Sequence, residues 1–253
     1  MALFSKIRSR EEFILGPEVK SLQIDGSNGA ITWVPVDGGA ARVVAEKEVR
    51  GLSVEGLEHI LADLRVESTS LEGTMILRAI MPSKSFGINA SIAFTVYASP
   101  DQIGDFQGHT SNGAISVGVP FSGKLNLRTS NGRIELQAGS GELNAATSNG
   151  SIRFSKIFLQ GTSSLRTSNG AIVGQTEFAE DGTYRFQTSN GAIELRIPHD
   201  SPGSFEARTS NGSIEFRVGD DQVGGRKRVA LERSAHPQVT MATSNGSISV
   251  LGY

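Results

Sequence analysis

The chain of 253 residues contains no cysteine, and only 6% of its residues are aromatic. Without cysteine, neither a disulfide framework nor a thiolate metal site can form, and this fits an oxidising compartment and the cytosol equally well. Because aromatic side chains are few, we expect a core that is built in thin layers from Ile, Leu, Val and Phe.

The chain also has no excess of positive or negative charge, since it contains 24 Lys and Arg residues and 26 Asp and Glu residues. This balance excludes the electrostatic footprint of a nucleic-acid-binding protein and a polybasic membrane signal. The sequence therefore predicts no nucleic-acid partner. It contains no run of eighteen apolar residues either, so no transmembrane segment is expected.

The N-terminal segment, residues 1–17, has basic residues but lacks the apolar stretch of a secretory leader. If Met1 is the native start, this indicates a cytoplasmic location. Residues 1–15 suit a short amphipathic helix that would lie on a membrane surface. The alternative, which we favour, is a frayed or capping segment.

Glycine is abundant: it makes up 30 of the 253 residues, or about 12%, against the usual ~7% of a chain. A six-residue motif also recurs. The motif is Thr-Ser-Asn-Gly, then a small or polar residue, then Ile; Gly26–Ile31 is a further copy with Gly in the Thr place. Successive Thr residues are 19, 18, 20, 21, 21 and 34 residues apart, and they are Thr110, Thr129, Thr147, Thr167, Thr188, Thr209 and Thr243. A period near twenty suits one coil of a β-solenoid.

The residues that flank each motif alternate between apolar and polar. Phe205 and Ala207 share one face with Thr209, whereas Glu206 and Arg208 take the other. Period two indicates half-buried strands, so each repeat reads as strand, corner, strand. Asn-Gly between such strands is also the strongest hairpin signal, so a meander of hairpins is the structural alternative.

The narrow repeat length and the near-identical corners favour stacked coils, spaced by about 4.8 Å as neighbouring strands are. We expect glycine to supply positive φ at each corner. A column of stacked asparagines could hydrogen-bond along the axis. This corner ladder would comprise Asn28, Asn112, Asn131, Asn149, Asn169, Asn190, Asn211 and Asn245. The predicted fold is all-β, a single β-solenoid or parallel β-helix of about 20-residue coils with one short capping helix.

We divide the chain into the N-terminal segment 1–17, a first coil at 18–36, an irregular β cap at 37–100 and the regular repeat solenoid at 101–253. A separate small domain is the alternative for 37–100. Within it, an apolar stripe and a capping serine predict a helix at Ser53–Leu64. Strands are expected at 41–49, 65–69, 74–81 and 90–98. Residues 68–77 look like a degenerate repeat, with Leu-Glu-Gly in place of Asn-Gly.

No catalytic or phosphate-binding motif occurs, and the four histidines are scattered. The sequence therefore predicts no enzyme, no cofactor and no metal site. Outward positions carry Glu135, Arg153, Glu194 and Glu215 after the corner, and Arg128, Arg166 and Arg208 before it. We expect these charges to pair across strands and to protect edges.

The long last interval places an insertion at residues 219–236. Insertions in repeat proteins map to surface loops and are often functional. Arg226, Lys227, Arg228 and Arg233 make this segment basic, so it is a candidate interaction loop for an acidic partner. A plain solvated loop, or a coil that has lost its corner, is the favoured alternative.

The corner motifs, together with Gly26–Ile31 and the strand ending at Val96–Pro100, resemble the bacterial putative-adhesin family of unknown function, which is related to auto-transporter adhesin head-GIN domains. The resemblance covers residues 18–251. It implies a right-handed β-helical or β-solenoid fold and a setting in the cell envelope or at the cell surface, but it names no activity.

These observations predict a non-enzymatic scaffold, adhesin-like or protein-interacting, with a protein or a cell-surface glycan as partner. One alternative is a self-assembling scaffold, a homo-oligomer that stacks through the C-terminal edge at residues 239–251. The other is a polysaccharide-binding or polysaccharide-active β-helix, which a cleft lined by Arg and carboxylates on an outer face would favour.

Overall fold

The computed structural model describes residues 5–36, 38–51, 55–82 and 88–253, in which one helix accompanies 21 strands. The helix is α1 (Glu55–Asp63). The strands are β1 (Ser5–Ile14), β2 (Ser21–Asp25), β3 (Ile31–Val34), β4 (Arg42–Gly51), β5 (Arg65–Leu71), β6 (Thr74–Ile80), β7 (Asn89–Tyr97), β8 (Asp105–Thr110), β9 (Ile115–Thr129), β10 (Ile134–Ala146), β11 (Ile152–Leu159), β12 (Thr162–Arg166), β13 (Ile172–Phe178), β14 (Thr183–Gln187), β15 (Ile193–Ile197), β16 (Ser204–Asn211), β17 (Ile214–Val218), β18 (Asp221–Gly225), β19 (Arg228–Glu232), β20 (Gln238–Asn245) and β21 (Ile248–Gly252).

The strands build two walls that meet at the Asn-Gly corners. Wall A contains the strands before each corner, stacked in parallel in the order β6, β2, β8, β9, β10, β12, β14, β20, β16. Wall B contains the strands after each corner, in the order β7, β3, β9, β10, β11, β13, β15, β21, β17. The long strands β9 and β10 serve wall B with their first half and wall A with their second, which joins the walls into one sheet.

The parallel register rules out the hairpin meander. The motif isoleucines of neighbouring coils pair directly, as Ile115 with Ile134 and Ile134 with Ile152 do. An antiparallel hairpin would instead pair the two strands on either side of one corner. The prediction of an all-β solenoid is therefore confirmed.

The core is the thin space between the two walls. The isoleucine that closes each corner motif is at most 2% exposed, and these residues are Ile31, Ile115, Ile134, Ile152, Ile172, Ile193, Ile214 and Ile248. Full burial of each such side chain contributes roughly 1.5–3 kcal/mol. Trp33 packs against Phe106 with ring centroids 5.2 Å apart, and its indole N–H donates to the Ala98 carbonyl at 3.0 Å. This one repeated inward position therefore places an isoleucine in the core at every corner coil.

Helix α1 packs on β4 and β1 at the N-terminal end of the stack. Its apolar stripe buries Leu57, and Leu64, just beyond the helix, is buried as well. The predicted helix is thus present as the short capping helix, although Ser53 and Val54, which we assigned to its start, lie outside the described residues.

The order of the coils in the stack differs from their order in the chain at both ends. The C-terminal coil, β20–β21, lies between β14–β15 and β16–β17. Likewise β2–β3 lies between β6–β7 and β8–β9. The expectation of a free C-terminal edge at residues 239–251 is therefore wrong, because β20 and β21 are paired on both sides and offer no open strand edge for a homo-oligomer. All corner coils carry the same inward pattern, so the repeat itself does not specify which neighbour a coil receives.

Antiparallel strands form both ends of the stack. At the C-terminal end β18 pairs with β17 and β19 pairs with β16. The insertion at 219–236 is thus a further coil without an Asn-Gly corner, which runs antiparallel to the coil β16–β17. Its sequence lacks a motif corner, which is why the periodicity did not reveal strands there.

At the N-terminal end, wall A finishes with β5 paired to β6, and wall B finishes with β4 and then β1. The supposed degenerate repeat at 68–77 is the β5–β6 hairpin. Its turn residues Glu72 and Gly73 have φ values of 47° and 76°, as a tight primed turn requires. Among the described residues the outermost strands β1, β5, β18 and β19 pair on one side only, so antiparallel edge strands end the stack in place of regular coils.

Residues 5–14 of the N-terminal segment form a strand at the end of wall B, so the amphipathic helix, the less favoured expectation, is wrong. In β1 the partly buried Ile7 and Phe13 pack on the core, while most other side chains are exposed. The exposed hydrogen-bonding edge of β4 offers ten residues of ladder to this segment, from Ser5 to Ile14. Backbone pairing to that edge outweighs the helical periodicity of a few apolar side chains.

A cluster of charges holds β1 on β4. Burial raises the pKa of the Glu48 carboxyl, but hydrogen bonds from Lys6, Arg8 and Arg50 outweigh it and hold the pKa at about 2. Lys6 Nζ lies 2.7 Å and Arg8 Nε 2.8 Å from Glu48 Oε2. The edge strand is therefore both paired on one side and highly charged, which discourages a second chain from adding to it.

Removal of the C-terminal antiparallel coil should promote association. We expect a variant in which a short Gly-Ser turn replaces residues 219–234 to associate as concentration rises, because the regular coil β16–β17 then forms the end of the stack and offers its unpaired backbone groups and its Asn-Gly corner to a second molecule. Sedimentation velocity over a hundredfold concentration range measures this. The wild-type chain and Val223→Ser, a change at an exposed position of the antiparallel coil, should both remain monomeric. Association of all three would contradict the capping role.

Candidate binding surface

The eight corner asparagines form one continuous ladder along the axis. Each amide Nδ2 donates to the Oδ1 of the next asparagine at 2.7–2.9 Å, in the order Asn211, Asn245, Asn190, Asn169, Asn149, Asn131, Asn112, Asn28. Asn28 ends the ladder at the Ala90 carbonyl, 3.5 Å away. The ladder follows the spatial order of the coils, so Asn245 bridges Asn190 and Asn211. All donors point the same way.

Beneath the ladder, the motif threonines fix the spacing between coils. Each hydroxyl donates to a glycine carbonyl of the adjacent corner at 2.8–3.0 Å, and the donors are Thr110, Thr129, Thr147, Thr167, Thr188, Thr209 and Thr243. All seven are buried. Gly26 takes this place in the coil whose outer neighbour, β6–β7, has no Asn-Gly corner. A threonine there would lack the glycine carbonyl that the other copies use.

Close stacking, and not positive φ, explains the corner glycines. A Cβ on Gly132 would lie 1.9 Å from the Gly113 carbonyl oxygen, and a Cβ on Gly150 would lie 2.0 Å from that of Gly132. Only Gly29 has the expected positive φ, at 150°; the φ of the other seven lies outside the +20° to +160° range. The expectation of positive φ at every corner is therefore wrong. Side chains are excluded because the next backbone occupies their place.

The outer surface of the corner is a polar strip. The asparagines from Asn112 onward are exposed, and the serine before each of them is exposed or partly exposed. Within the described part of the chain the hydroxyls of these serines make no hydrogen bond. The corner thus presents a column of unused hydroxyls at the strand spacing of about 4.8 Å.

Wall A carries a second regular surface, which we call the arginine row. It consists of Arg128, Arg166, Arg185, Arg208 and Arg228, all exposed and on outward positions of β9, β12, β14, β16 and β19. Four of these arginines lie on one line of neighbouring outward positions, the line nearest the corner. Along the axis this line reads Arg128, Ala146, Arg166, Gln187, Ala242, Arg208, Arg228. Arg185 lies on the next line of outward positions, two residues before Gln187 on β14.

The expected pairing of these charges holds at only one end of the row. Glu206 accepts from Arg208 at 2.6 Å and from Arg228 at 2.7 Å, and these hydrogen bonds lower its pKa in spite of partial burial. Arg128, Arg166 and Arg185, by contrast, have no carboxylate partner among the described residues. Arg128 and Arg166 both face Ala146, and Arg185 faces Thr240.

A groove crosses the arginine row above β20. Its floor is formed by Thr240 and Ala242, whose side chains are small. The side chain of Arg185 borders one side of the groove, and those of Glu206 and Arg208 border the other. The volume between them is about 320 Å³. The groove exists because the C-terminal coil, with its short outward side chains, is inserted between two coils whose outward side chains are long.

Wall B offers a more apolar hollow of about 590 Å³, with Val173, Leu195 and Leu251 among its lining residues. Arg196 and Glu194 border it. Outward charges on this wall are mixed, and Glu215 pairs with Arg217 at 2.5 Å.

The four basic residues of the insertion have separate positions. Arg228 extends the arginine row, and Arg226 and Lys227 are exposed at the turn between β18 and β19. Arg233 instead donates to the carbonyls of His199 and Ser201 at 2.8 and 2.7 Å, and pairs with Asp221 at 3.1 Å. Arg233 therefore anchors the insertion, and Arg228 is paired with Glu206, whereas Arg226 and Lys227 are exposed to a partner.

No group of three or more His, Asp or Glu residues within the described ranges is placed to hold a metal ion. Among the same residues there is no helix that is long and apolar enough to cross a membrane.

No protein-family model matches the chain, and no curated protein matches it. Among solved structures it is similar to a Bacteroides fragilis protein described as a putative adhesin, at 10% identity over 98% of both chains, with a TM-score of 0.43. It is also similar to a Clostridium sporogenes protein described as a putative cell adhesion protein, at 9% identity over 98% of this chain and 100% of that one, with a TM-score of 0.32. A Parabacteroides distasonis protein described as a putative lipid binding protein matches at 12% identity over 96% of both chains, with a TM-score of 0.43.

These structural relatives include putative adhesins, as the resemblance of the corner motifs implies. At identities near 10% and TM-scores below 0.5, they carry no argument about ligand or activity.

Alanine at a corner glycine should be strongly destabilising. We expect Gly150→Ala to lower the free energy of unfolding by at least about 2 kcal/mol, because its Cβ would collide with the backbone of the neighbouring corner. Gly104→Ala is the matched control, since nothing lies within 4 Å of a Cβ there. Urea unfolding followed by circular dichroism compares them. Similar stability of the two variants would refute the close-packing explanation.

The position of an asparagine in the ladder should decide how much stability its replacement by alanine removes. Asn149 makes two ladder bonds and Asn211 makes one, within the same Thr-Ser-Asn-Gly-Ser-Ile sequence. With about 0.5–1 kcal/mol per bond, Asn149→Ala should destabilise about twice as much as Asn211→Ala. Thermal unfolding of the two variants and the wild type measures the difference. Equal shifts would indicate that the ladder adds nothing beyond the turn preference of asparagine.

Proposed function

We propose that the protein is a non-enzymatic β-solenoid that presents its lateral surfaces to a macromolecular partner, as an adhesin-like or protein-interaction scaffold. The observation that carries this proposal is the set of exposed side chains that the stacked coils hold in regular rows. These rows lie on the corner strip and on the two outer walls, which are the surfaces that we propose for a partner.

Rigidity supports the same proposal. The threonine and asparagine bonds link every corner to its neighbours, so the outward side chains start from a backbone that is already ordered. A partner therefore meets a preformed array, and less ordering entropy opposes binding. The resemblance of the corner motifs to a bacterial putative-adhesin family is our reason to propose the cell envelope or surface as the setting.

The polysaccharide alternative has one specific observation in its favour. The groove above β20 is lined by Arg185 and Arg208 together with the carboxylate of Glu206, which is the lining that a carbohydrate-binding cleft was expected to have. This observation supports binding of a glycan in preference to its cleavage, because Glu206 is held as a carboxylate by two arginines.

An array of immobilised glycans and extracellular-matrix proteins tests the proposal with the labelled full-length chain. We expect saturable binding to a subset of the array, with no change in the bound ligand. Mass spectrometry of the supernatant detects released fragments. Fragments would show an enzyme, and absence of binding to every member of the array would overturn the scaffold proposal.

A further inference from the structure

We infer that the outer face of wall A binds an extended acidic polysaccharide, whose carboxylate or sulfate groups lie against the arginine row. This inference rests on the proposed lateral binding and names the class of its ligand. It is carried by unpaired charge, by spacing and by the neutral groups between the arginines.

The charge of this face departs from that of the whole chain. The protein has a formal net charge of −2, yet the outward positions of wall A from β9 to β16 hold five cations and two carboxylates. Both carboxylates are already paired, Glu142 with Lys124 at 3.3 Å and Glu206 with Arg208 and Arg228. Anionic groups of a ligand would therefore find arginines without competing partners, and arginine binds carboxylate and sulfate with charge-assisted hydrogen bonds.

The coil order creates the unpaired arginine at the groove. If the coils stacked in chain order, β16 would follow β14 and Arg185 would lie beside Glu206. Insertion of β20 places Thr240 between them, in register with both. Arg185 is thereby kept two strands away from the nearest carboxylate of its row. The groove and its unpaired cation have the same origin.

The spacing of the cations suits a polymer that runs along the axis. Arg128 and Arg166 are separated by one intervening strand, as are Arg185 and Arg208, whereas Arg166 and Arg185 lie on adjacent strands. Two strand spacings amount to about 9.6 Å, whereas same-face side chains of an extended peptide repeat every ~6.7 Å. The two longer steps fit charges on alternate sugar residues of an extended chain better than they fit an acidic peptide strand.

The positions between the arginines offer neutral hydrogen-bonding groups. Asn126, Asn144, Ser164, Gln187 and Thr240 face outward there, and amides and hydroxyls match the hydroxyl groups of sugars. No aromatic side chain occupies an outward position of wall A between β2 and β16. Single-stranded nucleic acids depend on such stacking platforms, so the face suits a glycan better than a nucleic acid.

The test uses the full-length chain and defined polymers in isothermal titration calorimetry. Polygalacturonate carries carboxylates, dextran sulfate carries sulfates, dextran is the neutral control, and a mixed-base single-stranded oligonucleotide is the nucleic-acid control. We expect binding to one or both acidic polysaccharides that weakens with salt, and no binding to dextran. The difference between the two acidic polymers identifies the preferred anionic group.

Two double variants locate the site. Arg166→Gln with Arg185→Gln should weaken binding about tenfold, since two exposed charge contacts are lost. Arg153→Gln with Arg196→Gln removes the same charge from exposed, unpaired positions on wall B among the described residues, and it should leave binding within about twofold of wild type. Circular dichroism and thermal unfolding verify that both variants fold.

Four results would overturn the inference. Equal losses in the two double variants would show diffuse charge attraction, and binding to neither acidic polymer would exclude the ligand class. Oligonucleotide binding with the same dependence on Arg166 and Arg185 would assign the face to nucleic acid. If the array shows binding only to proteins or neutral glycans, the inference fails while the proposed scaffold function stands.

Discussion

The whole architecture depends on the close approach of successive backbones at the Asn-Gly corner. The glycine carbonyl of one corner occupies the volume that a side chain on the next corner glycine would need, and the buried threonine hydroxyl donates to that carbonyl. The asparagine amides form a second line of bonds outside it. The glycine, threonine and asparagine of the motif thus each have a steric or hydrogen-bonding role, and together they set the spacing at which the isoleucines stack in the core.

This corner specifies how coils stack but not which coils are neighbours. Asn245 fits between Asn190 and Asn211 as well as a sequential neighbour would. In the observed order β18 and β19 occupy the outer side of β17 and β16, so the returning chain lies on the inner side of that coil. The arrangement protects the chain end, since β20 and β21 must lose partners on both sides to leave the stack. Fraying from the C-terminus is correspondingly unfavourable.

The fold class could be predicted from the sequence because period-two alternation and a fixed repeat length both report on the same stacked strands. The ladder residues from Asn28 to Asn245 could also be named, since the motif marks them. Coil order could not, because identical motifs are interchangeable in a pattern. The strand at 5–14 was missed because its partner is the edge of β4, a tertiary feature that no local period records. The steric requirement for glycine at the corners could not be predicted either, because the atoms that exclude a side chain there belong to the neighbouring coil.

The arginine row shows how a change of order creates a surface. Sequence reasoning found Arg128, Arg166 and Arg208 on outward positions and assigned them to cross-strand pairs, which is the ordinary outcome for neighbouring charged strands. The pairing fails wherever a strand with Ala146, Thr240 or Ala242 stands between potential partners. A solenoid whose purpose was stability alone would gain from placing Arg185 beside Glu206. Inserting β20 forgoes that contact and leaves a cationic groove in its place, so the feature that protects the chain end also opens the face that we assign to an acidic glycan.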